Sequence, residues 1–284
     1  MRFDSRAGSW PACYALLVGA LLLAGCAGDP KPPPEPPVRQ RAIEAETSGV
    51  ARYVRGDYGT AIRLFSEAAR LQQSLDDGGA AARNQLNRAR AELALGQAQD
   101  TLNHASEVGD GPLLVRALLL QLQANLALGR FDPASELLAH MEKLCPYGCP
   151  ERGSFLLLRA RVALTDRNAK QALVDAEAAL SILKGQQEER ETANALRVIA
   201  AARLALGELS TALVAAQAAL EIDRQLALPE KIARDWMMVG DIHHRAKRAS
   251  DAKSAYQRAQ SVAQAAGLED IVRLASEAIV EKSQ

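Results

Sequence analysis

The chain has 284 residues with 34 basic and 34 acidic side chains, a balance that excludes nucleic-acid or anionic-membrane binding through net charge. Hydrophobic residues make up 48% but aromatic ones only 4%, so the apolar mass is mostly Ala and Leu, both strong helix formers. Alternating β-branched runs are lacking, which excludes a sheet protein and predicts an all-α fold.

At the N-terminus, Arg2 and Arg6 precede an apolar run from Cys13 to Leu23. The run is shorter than the ~20 residues that span a bilayer. It has the length of a signal-peptide h-region. Leu23-Ala24-Gly25-Cys26 follows directly. This tetrad resembles the lipobox of bacterial lipoproteins. The resemblance implies that residues 1–25 are a cleaved signal peptide and that the Cys26 thiol carries a diacylglycerol. Each buried CH₂ of such a chain contributes about 0.8 kcal/mol, and two or more chains make the anchoring stable. Lipoproteins kept in the inner membrane typically carry Asp directly after the lipidated Cys. Here Ala27 stands there. The expectation is a lipid anchor in the outer membrane with the protein facing the periplasm.

Between residues 30 and 37 six of eight residues are Pro. Such a stretch favours extended polyproline II at about 3.1 Å per residue. Residues 26–41 are therefore expected to be a lipidated Cys followed by a stiff tether.

Internal repetition begins next. The first unit reads Gly49-x3-Tyr53-x2-Gly56-Asp57-Tyr58-x2-Ala61-x3-Phe65-x2-Ala68. The last has Trp236-x2-Val239-Gly240, then Ala252-x3-Tyr256-x2-Ala259. Small residues facing each other let two helices approach to about 8–10 Å, and the aromatic rings fill the space left. Four units lie between, anchored at Thr101, Ala134, Ala172 and Ala212. With Ala61 and Ala252 the anchors are spaced 40, 33, 38, 40 and 40 residues apart. The pattern resembles the tetratricopeptide repeat (TPR), whose period is 34 residues. The resemblance implies an all-α TPR-like solenoid of about six antiparallel helical hairpins over residues 42–266. Most spacings exceed the family's period, which predicts longer helices or turns. Asp132-Pro133 reads as an N-cap followed by Pro at the first helical position. Gly78-Gly79 and Gly109-Asp-Gly-Pro112 read as helix breaks, and Gly267 as the end of the last repeat. Residues 267–284 hold Ile271, Leu274, Ala275 and Ile279 at helical spacing, and are read as a capping helix that closes the open end.

The chemistry-bearing residues are few. Cys145-Pro-Tyr-Gly-Cys149 ends the third unit. In an oxidising compartment Cys145 and Cys149 are expected to close a structural disulfide. A redox or accessory role of the pair is the alternative. His243 and His244 are adjacent, so on a helix they point about 100° apart and do not share one metal ion. No HExxH, P-loop, GxSxG or dinucleotide fingerprint is present. No cofactor, no metal and no catalysis are expected.

In TPR hairpins the first helices line the concave face. Carried over unit by unit, that rule gives Arg83, Arg90, Arg116, Gln123, Arg161, Asn194, Arg197 and Arg234 as groove residues. Arginine forks pair bidentately with carboxylates, so the expected partner is a protein or peptide with an acidic or C-terminal segment. The resemblance implies a membrane-anchored periplasmic interaction scaffold or adaptor for envelope, secretion or pilus assembly. A type IV pilus pilotin-like assembly factor is one alternative, and the role through the cysteines is another.

Overall fold

The computed structural model describes residues 36–281 apart from residue 110. Cys26 and most of the proline tether lie outside the described residues. Among the described residues there are thirteen α-helices and no strand. They are α1 (Pro37–Val54), α2 (Tyr58–Ser74), α3 (Gly78–Ala94), α4 (Ala98–Ser106), α5 (Leu114–Ala127), α6 (Phe131–Leu144) and α7 (Arg152–Thr165). There follow α8 (Ala169–Gly185), α9 (Glu189–Ala205), α10 (Leu209–Gln225), α11 (Pro229–Arg245), α12 (Ala249–Ala265) and α13 (Glu269–Glu281). Consecutive helices pair as six antiparallel hairpins, and α13 packs on α12 at the end of the row.

The six alignment anchors all lie in the packed interior. Ala61, Thr101, Ala134, Ala172, Ala212 and Ala252 are all fully buried. Thr101 stands where the others have Ala because its hydroxyl meets the Ala89 and Gln97 carbonyls at 3.2 and 3.0 Å. Gly49 and Gly240 have the role expected of them. A Cβ on Gly49 would sit 2.8 Å from the Phe65 ring, and one on Gly240 would sit 2.3 Å from the Tyr256 ring.

The long period has a simple origin. From α8 to α12 every helix is 17 residues long. Three-residue turns join them, and the middle residue of each turn is left-handed: Gln187, Gly207, Ala227 and Lys247, all with φ between 51° and 80°. Arg167 and Gly267 continue the series at the same interval on either side. The 33-residue spacing between Thr101 and Ala134 arises where α4 is cut to nine residues and the Gly109–Pro112 segment intervenes.

Three local expectations need correction. The first helix begins at Pro37, inside the stretch read as tether up to residue 41. Pro37 occupies the first helical turn, where its missing N–H would have no partner in any case. Helix α6 begins at Phe131 with Arg130 as its cap, so Asp132 and Pro133 lie within the first turn rather than ahead of it. Gly78 opens α3 instead of breaking a helix, because the Asp77 carboxylate accepts a hydrogen bond from the Ala80 amide at 3.0 Å and starts the helix there.

First helices also touch the first helices of the next hairpin: α3 with α5, α5 with α7, α7 with α9, α9 with α11. That adjacency places their free faces side by side. The runs Leu118-Leu119-Leu120 and Leu156-Leu157-Leu158 sit on two of these helices, buried among neighbours on both sides.

Candidate functional site

The free faces of the first helices form a groove of about 1140 Å³. Its lining follows helical spacing: Arg83, Leu86, Asn87 and Arg90 from α3; Arg116, Leu119, Leu120 and Gln123 from α5; Leu157, Leu158, Arg161 and Leu164 from α7. Arg190, Glu191, Asn194 and Arg197 come from α9, and Glu230, Lys231 and Met238 from α11. Tyr53 and Tyr58 stand at the α1–α2 end, their ring centroids 5.4 Å apart. The lining is therefore mixed, apolar between charged residues.

Seven of the eight residues expected in the groove line it. Arg234 does not; its Nε turns back one helical turn to Glu230 Oε1 at 2.9 Å. The other arginines differ in how they are held. Arg83 faces Glu46 at 3.7 Å, and Arg116 donates to Glu151 at 3.1 Å. Arg90 stacks over Tyr53 with its guanidinium carbon 5.2 Å from the ring centre. Asn194 donates to Glu191 at 3.0 Å and accepts from Arg197. Gln123 lines the floor half-buried.

Arg197 is the structural centre of the C-terminal half. Its guanidinium binds both Asp223 of α10 and Asp235 of α11, joining three helices. Both carboxylates are fully buried. Burial pushes the Asp235 carboxyl up to about 7; Arg197 opposes the rise and the neighbouring Asp223 adds to it. Two buried carboxylates beside one guanidinium hold a proton more readily than an isolated Asp. Sequence reasoning placed Arg197 in the groove but missed these partners, which come 26 and 38 residues later.

Arg161 behaves differently. It forms no hydrogen bond or ion pair among the described residues. Crowding by the groove walls lowers its pKa, with Glu191 opposing and Arg197 adding to the effect. Lys231, which sequence reasoning also missed, is likewise lowered by burial and by Arg197. A signal for it existed: 40 and 80 residues earlier the same repeat position holds Glu191 and Glu151, both lining the groove.

Cys145 and Cys149 are joined in a disulfide with their Cα atoms 5.2 Å apart. Cys145 is buried, while Tyr147 at the tip of the loop is 97% exposed. Arg152 fixes the loop by donating to the Cys145 carbonyl at 2.8 Å. Pro150 and Glu151, just beyond the disulfide, form part of the groove rim. Among the described residues no group of three or more His, Cys, Asp and Glu side chains could hold a metal ion. No described helix is long and apolar enough to cross a membrane.

Comparison with protein-family models and with curated proteins gives no match. Solved structures do match. A Rap protein complexed with competence and sporulation factor shares 18% identity with a TM-score of 0.66, covering 85% of this chain and 70% of that one. The fold is a TPR-like all-α solenoid. A chain of the APC/C hetero-tetramer Cut9–Hcn1 shares 15% identity with a TM-score of 0.66, over 92% of this chain and 45% of that one. A signal-transduction ATPase with a tetratricopeptide-repeat sensor from Pyrococcus horikoshii shares 15% identity, TM-score 0.59, over 84% of this chain and 37% of that one. The present chain thus spans less than half the length of the last two.

Proposed function

We propose that this chain is a membrane-tethered docking scaffold whose groove holds a segment of another protein. The observation that carries the reading is the groove itself. It is long, continuous across five first helices and lined by apolar and charged side chains in alternation. Catalytic geometry is not needed to explain any residue in it. A surface of this kind suits an extended or helical segment whose side chains read successive hairpins. The Rap structure, which shares the fold, was solved as a complex with competence and sporulation factor.

The tether half of the proposal rests on sequence. Cys26 in Leu-Ala-Gly-Cys supplies the lipid, and the prolines after it space the solenoid from the surface. Ala27 supports the outer membrane as the location, with the solenoid in the periplasm. The partner class is then an envelope, secretion or pilus component, and pilotin-like assembly of a type IV pilus is the narrower alternative. The experiment fills the groove. Purified chain is used to recover partners from solubilised envelopes, with Asn87→Trp/Gln123→Trp as the blocked variant and Val174→Trp, exposed on α8, as the control. The blocked variant is expected to lose the partner that the control retains. Equal recovery by both overturns the groove as the docking surface.

A further inference from the structure

The cations that line the groove divide into two sets. Arg83, Arg90, Arg116 and Arg197 are committed to Glu46, Tyr53, Glu151 and the buried Asp pair. Arg161, Arg190 and Lys231 have no hydrogen bond or ion pair among the described residues. One comes from each of three consecutive first helices, α7, α9 and α11. Of the acids in the lining, Glu151 accepts from Arg116, Glu191 from Asn194 and Glu230 from Arg234, while the Glu188 side chain makes no hydrogen bond or ion pair among the described residues, so the three cations outnumber the one acid left open.

We propose that this row is the seat of an acidic stretch in the docked segment, its carboxylate side chains meeting Arg161 at one end and Lys231 at the other. The inference rests on the docking reading above and adds the chemistry and spacing of the ligand. Two arguments favour it. Cations whose donors are free within the groove offer an incoming carboxylate charge-assisted hydrogen bonds without first breaking an internal pair. Burial lowers the pKa of both Arg161 and Lys231 and the nearby Arg197 charge adds to it, with Glu191 opposing at Arg161 and Glu230 and Asp223 opposing at Lys231.

The spacing selects an internal stretch over a chain end. Packed helices lie about 8–10 Å apart, so α7 to α11 spans roughly 16–20 Å across the row. Arg161 also stands ten residues along its helix from Glu151, the position equivalent to Lys231, which adds about 15 Å along the axis and makes the diagonal roughly 22–25 Å. An extended peptide rises about 3.3 Å per residue. Two acidic residues about seven positions apart therefore reach Arg161 and Lys231, and a third about three positions from the Lys231 end reaches Arg190. A single terminal carboxylate reaches one cation and leaves the others unpaired.

The test pans two random 12-residue display libraries on the full chain in detergent, one flanked on both sides by fixed sequence and one with free C-termini. Binders are sorted by their loss against Ser154→Trp/Ala201→Trp, which fills the groove on α7 and α9 beside the row. The flanked library is expected to yield groove binders with two acidic residues about seven positions apart. Against Arg161→Gln and Lys231→Gln, each such peptide should bind about tenfold more weakly per site, with the melting temperature unchanged because neither side chain has an internal partner. Groove binders without paired acids overturn this inference and leave the docking reading standing. Acid-dependent binding confined to free C-termini also overturns it, in favour of a chain-end seat. Acidic binders indifferent to both substitutions overturn the assignment of these residues. A library that yields no groove binder removes the docking reading as well.

Discussion

Gly240→Ala is the sharpest perturbation of the solenoid. The added methyl would lie 2.3, 2.5 and 2.8 Å from three atoms of the Tyr256 ring, far inside contact distance. The ring has nowhere to go. Tyr256 is fully buried, and its hydroxyl donates to Asp241 at 2.9 Å. Overpacking a buried site costs about 1–3 kcal/mol. Ala recovers up to about 1 kcal/mol in helix propensity over Gly. The net expectation is a loss of about 1–2 kcal/mol, concentrated in the last hairpin and α13. For a chain of this size that lowers the melting temperature by roughly 2–8 °C. Thermal and urea unfolding followed by far-ultraviolet circular dichroism measure it. Gly59→Ala is the control: Gly59 is exposed on α2 and a Cβ there meets nothing within 4 Å, so that variant should be unchanged or slightly more stable. In the Gly240→Ala background, Tyr256→Leu should cost less than it does alone, because it removes the clash. Gly240→Ala as stable as Gly59→Ala would refute the packing argument for both repeat motifs.

Further outcomes follow from other sites. Asp235 has a folded-state pKa of about 7 against an ordinary 3.8, so the folded chain holds a proton that the unfolded chain releases. The contribution of this group to stability is therefore fully present below about pH 4, is lost as pH rises towards 7 and is absent above it. Asp235→Asn should flatten that slope in urea midpoints taken from pH 5 to 8; an unchanged slope contradicts the assignment. Ala227 and Lys247 hold φ of 51° and 58° in three-residue turns. A left-handed L-residue costs roughly 1–2 kcal/mol, so replacing either by Gly should raise stability by about 0.5–1 kcal/mol after the entropy of Gly is counted. A loss of stability in denaturant titration would refute the turn analysis. Cys26→Ser should leave the chain in the soluble periplasmic fraction and abolish incorporation of labelled acyl chains. Membrane fractionation as firm as wild type would remove the lipid anchor from the account.

Much of this architecture is legible in the sequence because the helices meet through small residues at fixed positions. Ala61, Ala134, Ala172, Ala212 and Ala252 need no knowledge of distant contacts to be recognised as crossing points. Seven groove residues were legible for the same reason, since the free face of each first helix follows from its spacing. Chain direction at the ends was less legible: Pro37 and Asp132 fit a tether or a cap by residue type, and only the neighbouring geometry makes them part of a first turn. What sequence could not give is the difference among the arginines. Arg161 and Arg197 look alike on paper, but Asp223 and Asp235 reach Arg197 from two other helices, and among the described residues no carboxylate bonds Arg161. Repeat spacing would have found Lys231, had charge reversal at an equivalent position been read as a signal.

The central claim is that the groove, and not the outer face of the solenoid, holds the partner. Photo-crosslinking amino acids placed at Gln123 in the groove and at Val174 on α8 in intact cells test it directly. The account predicts one discrete adduct from position 123, abolished by Asn87→Trp, and none from position 174. A discrete adduct from 174 with none from 123 would contradict it.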